Sequence, residues 1–161
     1  MNLTERSQLP SRHAVRTTIE DLVNRPVKME DSDILPVRDT SVLAVYVNDR
    51  IVTSAVIVLD LAAAARIGGA LGMVPPGAVD DAIAEFELTE MLTDCCREVL
   101  NVLASVFNVR AAPHVRLYAM YGPGDVIPGD LTALAVVPGE RLDVTLSVHG
   151  YGEGRLSVVV R

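Results

Sequence analysis

The stretch 80–108, above all 93–106, constrains the fold of this chain more than any other. At about 100° per residue, Leu88, Leu92, Cys95, Cys96, Val99, Leu100, Leu103, Val106 and Phe107 fill one wide apolar arc. Glu87, Asp94, Glu98, Asn101 and Ser105 fall opposite in a narrow stripe, with Arg97 beside it. Asp94, Glu98, Asn101 and Ser105 recur at i, i+4, i+7 and i+11, a helical spacing that lines them up on one face. A long amphipathic helix over 80–108 is therefore expected. One half of it anchors a core, and the other presents an acid and an amide one turn apart.

The rest of the chain must supply that core. Residues 1–10 are polar and read as a loose terminus. Ser11 is placed to cap a helix over 12–24, apolar at Val15, Ile19, Leu22 and Val23 and stopped by Pro26. Residues 27–40 carry Glu30, Asp31, Asp33 and Pro36 with nothing periodic, and read as a linker. Two runs rich in β-branched residues, 42–47 and 51–59, are separated by Asn48-Asp49-Arg50, a hairpin signal over 42–59. The second run is apolar almost throughout, as an interior strand covered on both faces would be. Asp60 is a good N-cap for an Ala-rich helix over 61–71 that Gly72 ends, and Gly68-Gly69 inside it signal close packing or fraying. After Asn108 the period falls to two, and 115–120, 131–137, 142–148 and 155–160 read as strands, with turns at Pro138-Gly139 and 150–154. The expected fold class is α+β: one domain over 11–161 with a mostly antiparallel sheet of about six strands and helices packed on a face.

Composition narrows the function. Aromatic residues make up 4% of the chain and Trp is absent, so stacking platforms for bases are not expected. The net charge of −7 repels phosphate backbones and favours a partner with a basic rim over nucleic acid. Cys95 and Cys96 are the only cysteines, and adjacent helical side chains diverge, so reduced thiols in the apolar arc are expected rather than a disulfide. His13, His114 and His149 are isolated from one another and from acidic clusters, which gives no metal-ligand spacing. Gly150-Tyr151-Gly152-Glu153-Gly154 superficially resembles a phosphate loop, but it lies between two strands with no helix following, and reads as a hairpin turn. There is no signal-peptide pattern and no apolar run long enough to span a bilayer, so a cytoplasmic protein with no membrane contact is expected.

That leaves the stripe as the candidate site. A carboxylate at 98 pairs with a cation on another protein, and an amide at 101 holds a water by donating and accepting. A water aimed in line at a phosphoryl group needs little else when the partner carries the metal. The competing reading is a solvated stripe on a structural or dimerising α+β domain, since amphipathic helices have polar faces by default. Asn is a mediocre helix former in mid-helix, which leans toward a role for Asn101.

Asp94-x3-Glu98-x2-Asn101 resembles the D/S-x3-E-x2-N signature of the CheC/CheX/FliY phosphatases, which act on phosphorylated CheY in bacterial chemotaxis. The order of elements over residues 12–161 is similar too: a hairpin, an Ala-rich helix ending at Ala70-Leu71-Gly72-Met73, an acidic lead-in to the long helix, then antiparallel strands. The resemblance implies that Glu98 binds the lysine near the phosphorylated aspartate of a response-regulator receiver domain. It implies that Asn101 orients the attacking water, with Asp94 in support. Magnesium would be held by the receiver, so no cofactor of the chain's own is expected. CheC-type members carry two such motifs, but here the early helix offers only Thr17-x3-Asp21-x2-Asn24, with Pro26 ending it at once. A single good motif is more like CheX, which implies a homodimer formed through the sheet. Ser105 stands where the family usually has Gly, which keeps open a non-catalytic CheX-like binding or dimerisation module in two-component signalling.

Overall fold

The computed structural model describes residues 6–161. The first helix, α1 (Arg12–Val23), starts where the Ser11 hydroxyl accepts from Ala14 N at 3.0 Å and stops at Asn24, which turns left-handed at φ 53°. It leads into β1 (Val27–Asp31), after which β2 (Val42–Val47) and β3 (Thr53–Leu59) form a hairpin. Helix α2 (Leu61–Leu71) is capped by Asp60, whose carboxylate accepts from both Ala63 N (2.8 Å) and Arg155 N (3.1 Å) and so ties the helix start to the sheet. Then come α3 (Pro76–Ala84), α4 (Glu90–Leu103), β4 (Arg116–Tyr121), α5 (Gly129–Ala135), β5 (Arg141–Val148) and β6 (Gly152–Val160).

The six strands form one antiparallel sheet in the order β1-β5-β6-β3-β2-β4. Alternation along β2, β3, β4 and β6 sorts their side chains between two cores. Val42, Ala44 and Tyr46 of β2, Ala55 and Ile57 of β3 and Leu156 and Val158 of β6 join α1 to α4 on one face. Leu43, Val45, Val56, Val58 and Val159 face the other way, under Leu35 and the α5 residues Leu131 and Ala135. Over the described residues the chain is therefore α+β, a six-stranded open antiparallel sheet with five helices, four on one face and a short one on the other.

Four expectations need correction. Segment 80–108 is two helices, not one: Phe86 turns left-handed at φ 55° after α3, and the Thr89 hydroxyl starts α4 by accepting from Leu92 N at 3.3 Å. The linker 27–40 contains β1, whose period-two pattern of Val27 and Met29 is obscured by Lys28, Glu30 and Asp31. Segment 131–137 is helix rather than strand, because Leu131 and Ala135 at i, i+4 bury one face as well as an alternating pattern would. Residues 1–5 of the expected loose terminus lie outside the described residues, but 7–10 are not loose: Ser7 and Pro10 are buried and Leu9 packs on the main core.

Helix α4 is seated by small residues on α2. A Cβ at Gly68 would stand 2.8 Å from Leu92 O and 3.2 Å from Cys96 N, so the α4 backbone rests where that side chain would be. The Gly68-Gly69 pair thus serves close packing, not fraying.

Candidate functional site

Seated this way, α4 buries Leu92, Cys96, Val99, Leu100 and Leu103 and turns its opposite face outward. Asp94, Glu98, Asn101 and Ser105 are all exposed. The first three stand on regular helix, which places Glu98 and Asn101 one turn apart with about 5–6 Å between their Cβ atoms. Ser105 follows in a turn of 3₁₀-helix, Ala104–Val106.

The side chains of the stripe differ in their engagement. Asp94 lies 3.6 Å from Arg97, a solvent-exposed pair of little energetic weight. Glu98 has no ion-pair partner, and neither Glu98 nor Asn101 makes a side-chain hydrogen bond, among the described residues. A carboxylate and an amide are thus held at fixed spacing with their polar atoms free for a ligand. A groove between Pro36–Asp39, Asp125–Ile127 and α5 is lined by none of the four.

The helix carrying them is pinned from below. Tyr46, wholly buried on β2, donates its hydroxyl to Leu100 O at 2.5 Å, and its ring meets Phe107 at 5.2 Å between centroids. Burial pushes the Tyr46 phenol well above its ordinary range, so it stays a donor. Asn108 closes the segment after the helix by bonding both Val115 N (2.8 Å) and Val115 O (3.0 Å).

The early pattern Thr17, Asp21, Asn24 is not a second copy of this geometry. The Thr17 hydroxyl donates to His13 O at 2.8 Å, and Asn24 is the left-handed cap, off the helical face that carries Asp21. Cys95 and Cys96 are free thiols, the second wholly buried and pushed up to about 12 by desolvation. Among the described residues no three His, Cys, Asp or Glu side chains gather as a metal site, and no helix is long and apolar enough to cross a membrane. The segment 150–154 is the turn and start of β6, with Gly150 at φ 82° and Gly152 at φ 108°.

The helical period could reveal the stripe but not its flanks. Met73, Phe86 and Met91 are 81%, 73% and 54% exposed, and nothing in an apolar pattern marks a large side chain as facing solvent.

No family model matches the chain, and no curated protein matches it. Solved structures do. A chain of the FliM–SpeE complex from H. pylori superposes with a TM-score of 0.60 at 10% identity, over 92% of this chain and 80% of that one. The FliM middle domain from Vibrio alginolyticus gives 0.57 at 9% identity, over 92% and 86%. A chain of the CheX–CheY–BeF3–Mg complex from Borrelia burgdorferi gives 0.52 at 12% identity, over 92% and 93%. The chain has the CheX-like fold, shared with the middle domain of FliM. At these identities the likeness is one of fold.

Proposed function

We propose that this chain is a CheX-like phosphatase that hydrolyses the aspartyl phosphate of a response-regulator receiver domain. The observation that carries the reading is the pair Glu98 and Asn101: exposed, one turn apart on a rigidly seated helix, and free of internal partners among the described residues. The fold is shared with a CheX solved together with CheY and beryllofluoride, which supports a receiver as the partner. The Glu98 carboxylate takes the lysine ammonium beside the phosphorylated aspartate. The Asn101 amide accepts from and donates to a water, aiming its oxygen in line with phosphorus. Water attacks, the P–O bond to the aspartate breaks, and inorganic phosphate and the free carboxylate leave. Asp94 supports the face through Arg97, and Ser105 leaves room beyond Asn101. The metal belongs to the receiver, where it neutralises phosphoryl charge, so the chain brings no cofactor. Such work takes place in the cytoplasm, and the open edges β1 and β4 leave the sheet able to pair with a second copy.

One observation favours a second reading, a non-catalytic binding module: the same fold occurs in FliM, solved in complexes with SpeE and with FliG. Following the decay of a phosphorylated receiver from the same organism separates the two. The phosphatase reading requires faster decay in the presence of this chain; binding without acceleration supports the module.

A further inference from the structure

The exposed face of α4 carries one side chain to which the acid and the amide give no task. Arg97 is the only Lys or Arg between Arg66 and Arg110, in an otherwise acidic stretch, and it is exposed. At about 100° per residue it stands about 40° from Asn101 on one side, and Glu98 stands about 60° away on the other. The amide is therefore flanked by a guanidinium and a carboxylate. Arg97 and Asn101 are i and i+4, with about 5–6 Å between their Cβ atoms. Helical side chains lean toward the N-terminus, so Asn101 leans back over the turn that carries Arg97.

Little holds Arg97 where it is. Among the described residues its one ion pair is with Asp94, exposed and at 3.6 Å, although Glu87 and Asp125 line the same concavity as Arg97. Such a pair is weak, so the guanidinium can leave it for a stronger anion. The reaction supplies one. A phosphorylation site that holds magnesium is built of carboxylate and phosphoryl oxygens, which an acidic helix face alone would repel. Glu98, in taking the lysine ammonium, also draws positive charge away from the phosphoryl group. Charge on the phosphoryl oxygens must nevertheless be balanced as water attacks. Arg97 answers both needs, because its permanent charge is carried on a planar fork of N–H donors that fits two phosphoryl oxygens.

We propose that Arg97 is a third catalytic residue, which swings from Asp94 onto the phosphoryl oxygens of the receiver and stabilises the transition state while Asn101 aims the water. The proposal rests on the phosphatase reading and adds to it the charge that the acid and the amide lack. The water oxygen bonds to phosphorus, and the P–O bond to the aspartate breaks with its electron pair on the carboxylate. A proton of the water leaves with inorganic phosphate. Arg97 exchanges no proton and is a cation throughout.

The test is dephosphorylation of a receiver charged with acetyl phosphate and magnesium, followed over a range of receiver concentrations with wild type, Arg97→Gln and Arg97→Lys. Gln and Lys are helix formers comparable to Arg, and the ion pair they alter is exposed, so both variants unfold at the wild-type temperature. Arg97→Gln is expected to lose about tenfold or more of kcat while KM changes by less than about twofold. Arg97→Lys keeps the charge without the fork and is expected to fall between Gln and wild type. Wild-type kcat in Arg97→Gln overturns the proposal and leaves the phosphatase reading intact. A raised KM at constant kcat also overturns it, by making Arg97 a binding contact alone, as does a Lys variant no faster than the Gln variant. Failure of wild type to act on any receiver removes the reading and this proposal together.

Discussion

The hydroxyl of Tyr46, near the end of β2, donates to the main-chain carbonyl of Leu100, 2.5 Å away and one residue before Asn101. The bond joins the sheet to the last turn of α4, where regular helix gives way to 3₁₀-helix at Ala104. It fixes the height and rotation of the turn that presents Asn101. Tyr46→Phe keeps the ring and its contact with Phe107 but leaves a buried carbonyl without its donor, at a cost of about 1–3 kcal/mol. Chemical denaturation checks the loss, and unchanged stability would show that the bond contributes nothing net.

Gly68→Ala sets two effects against each other. Replacing helical Gly with Ala gains up to about 1 kcal/mol of propensity, while a Cβ 2.8 Å from Leu92 O forces α4 away from α2 at about 1–3 kcal/mol. The contact is with backbone, which cannot swing aside as a side chain would, so net destabilisation is expected. Thermal unfolding decides it, and a stabilised variant would mean that α4 shifts freely.

Much of this seating was legible in the sequence. The apolar arc from Leu92 to Leu103 repeats at the helical period, and every turn is sampled, so the buried and exposed faces of α4 follow from spacing alone. The runs of β2 and β3 were legible for a different reason, a nearly unbroken series of apolar, β-branched residues as in strands covered on both faces. The break at 85–89 was not, because it depends on Phe86 adopting a backbone conformation its side chain disfavours, although Thr89-Glu90 carries a usable N-cap signal. Helix α5 was misread because seven residues are too few to separate the two periods. Strand β1 escaped because an edge strand needs only one inward row, and Val27 and Met29 are that row. Of the site, the stripe could be read and its apolar flanks could not, since solvent exposure of Met73 and Phe86 is set by tertiary packing.

On the other side of the molecule, Arg141 and Asp143 form a mostly buried pair at 2.7 Å, and Arg141 also donates to Ala135 O and Val137 O at the end of α5. Burial alone would raise the Asp143 carboxyl, but hydrogen bonds from Arg141 and Ser157 and the guanidinium charge outweigh it and hold it below the usual carboxylate range. A depressed carboxylate contributes stability that is present above the unfolded value, about 4, and lost as pH falls through the folded one. Stability should therefore decline below about pH 4, and Asp143→Asn should flatten that acid limb. Asp143→Ala leaves a buried cation without its carboxylate and should cost about 3 kcal/mol at neutral pH. An acid limb identical in wild type and Asp143→Asn would contradict the account.

The two thiols should differ in reactivity. Burial raises both, the Cys96 thiol to about 12, and the neighbouring Asp94 adds to the rise at Cys95. At pH 8 a thiol reagent should modify half-buried Cys95 slowly and Cys96 only on unfolding. Rapid modification of Cys96 in the native protein would show that α4 leaves α2 far more often than its packing implies.

The most direct test of the central claim is the decay of a phosphorylated receiver domain at saturating concentrations of wild type and of Asn101→Ala. Asn101 is exposed and makes no side-chain hydrogen bond among the described residues, so the variant should fold and bind as wild type does. If Asn101 aims the water, wild type accelerates phosphate loss and the variant loses about 10²-fold of that acceleration while still occupying the receiver. Equal acceleration by the two proteins would contradict a water-positioning role for Asn101, and with it the assignment of the α4 stripe as a catalytic site.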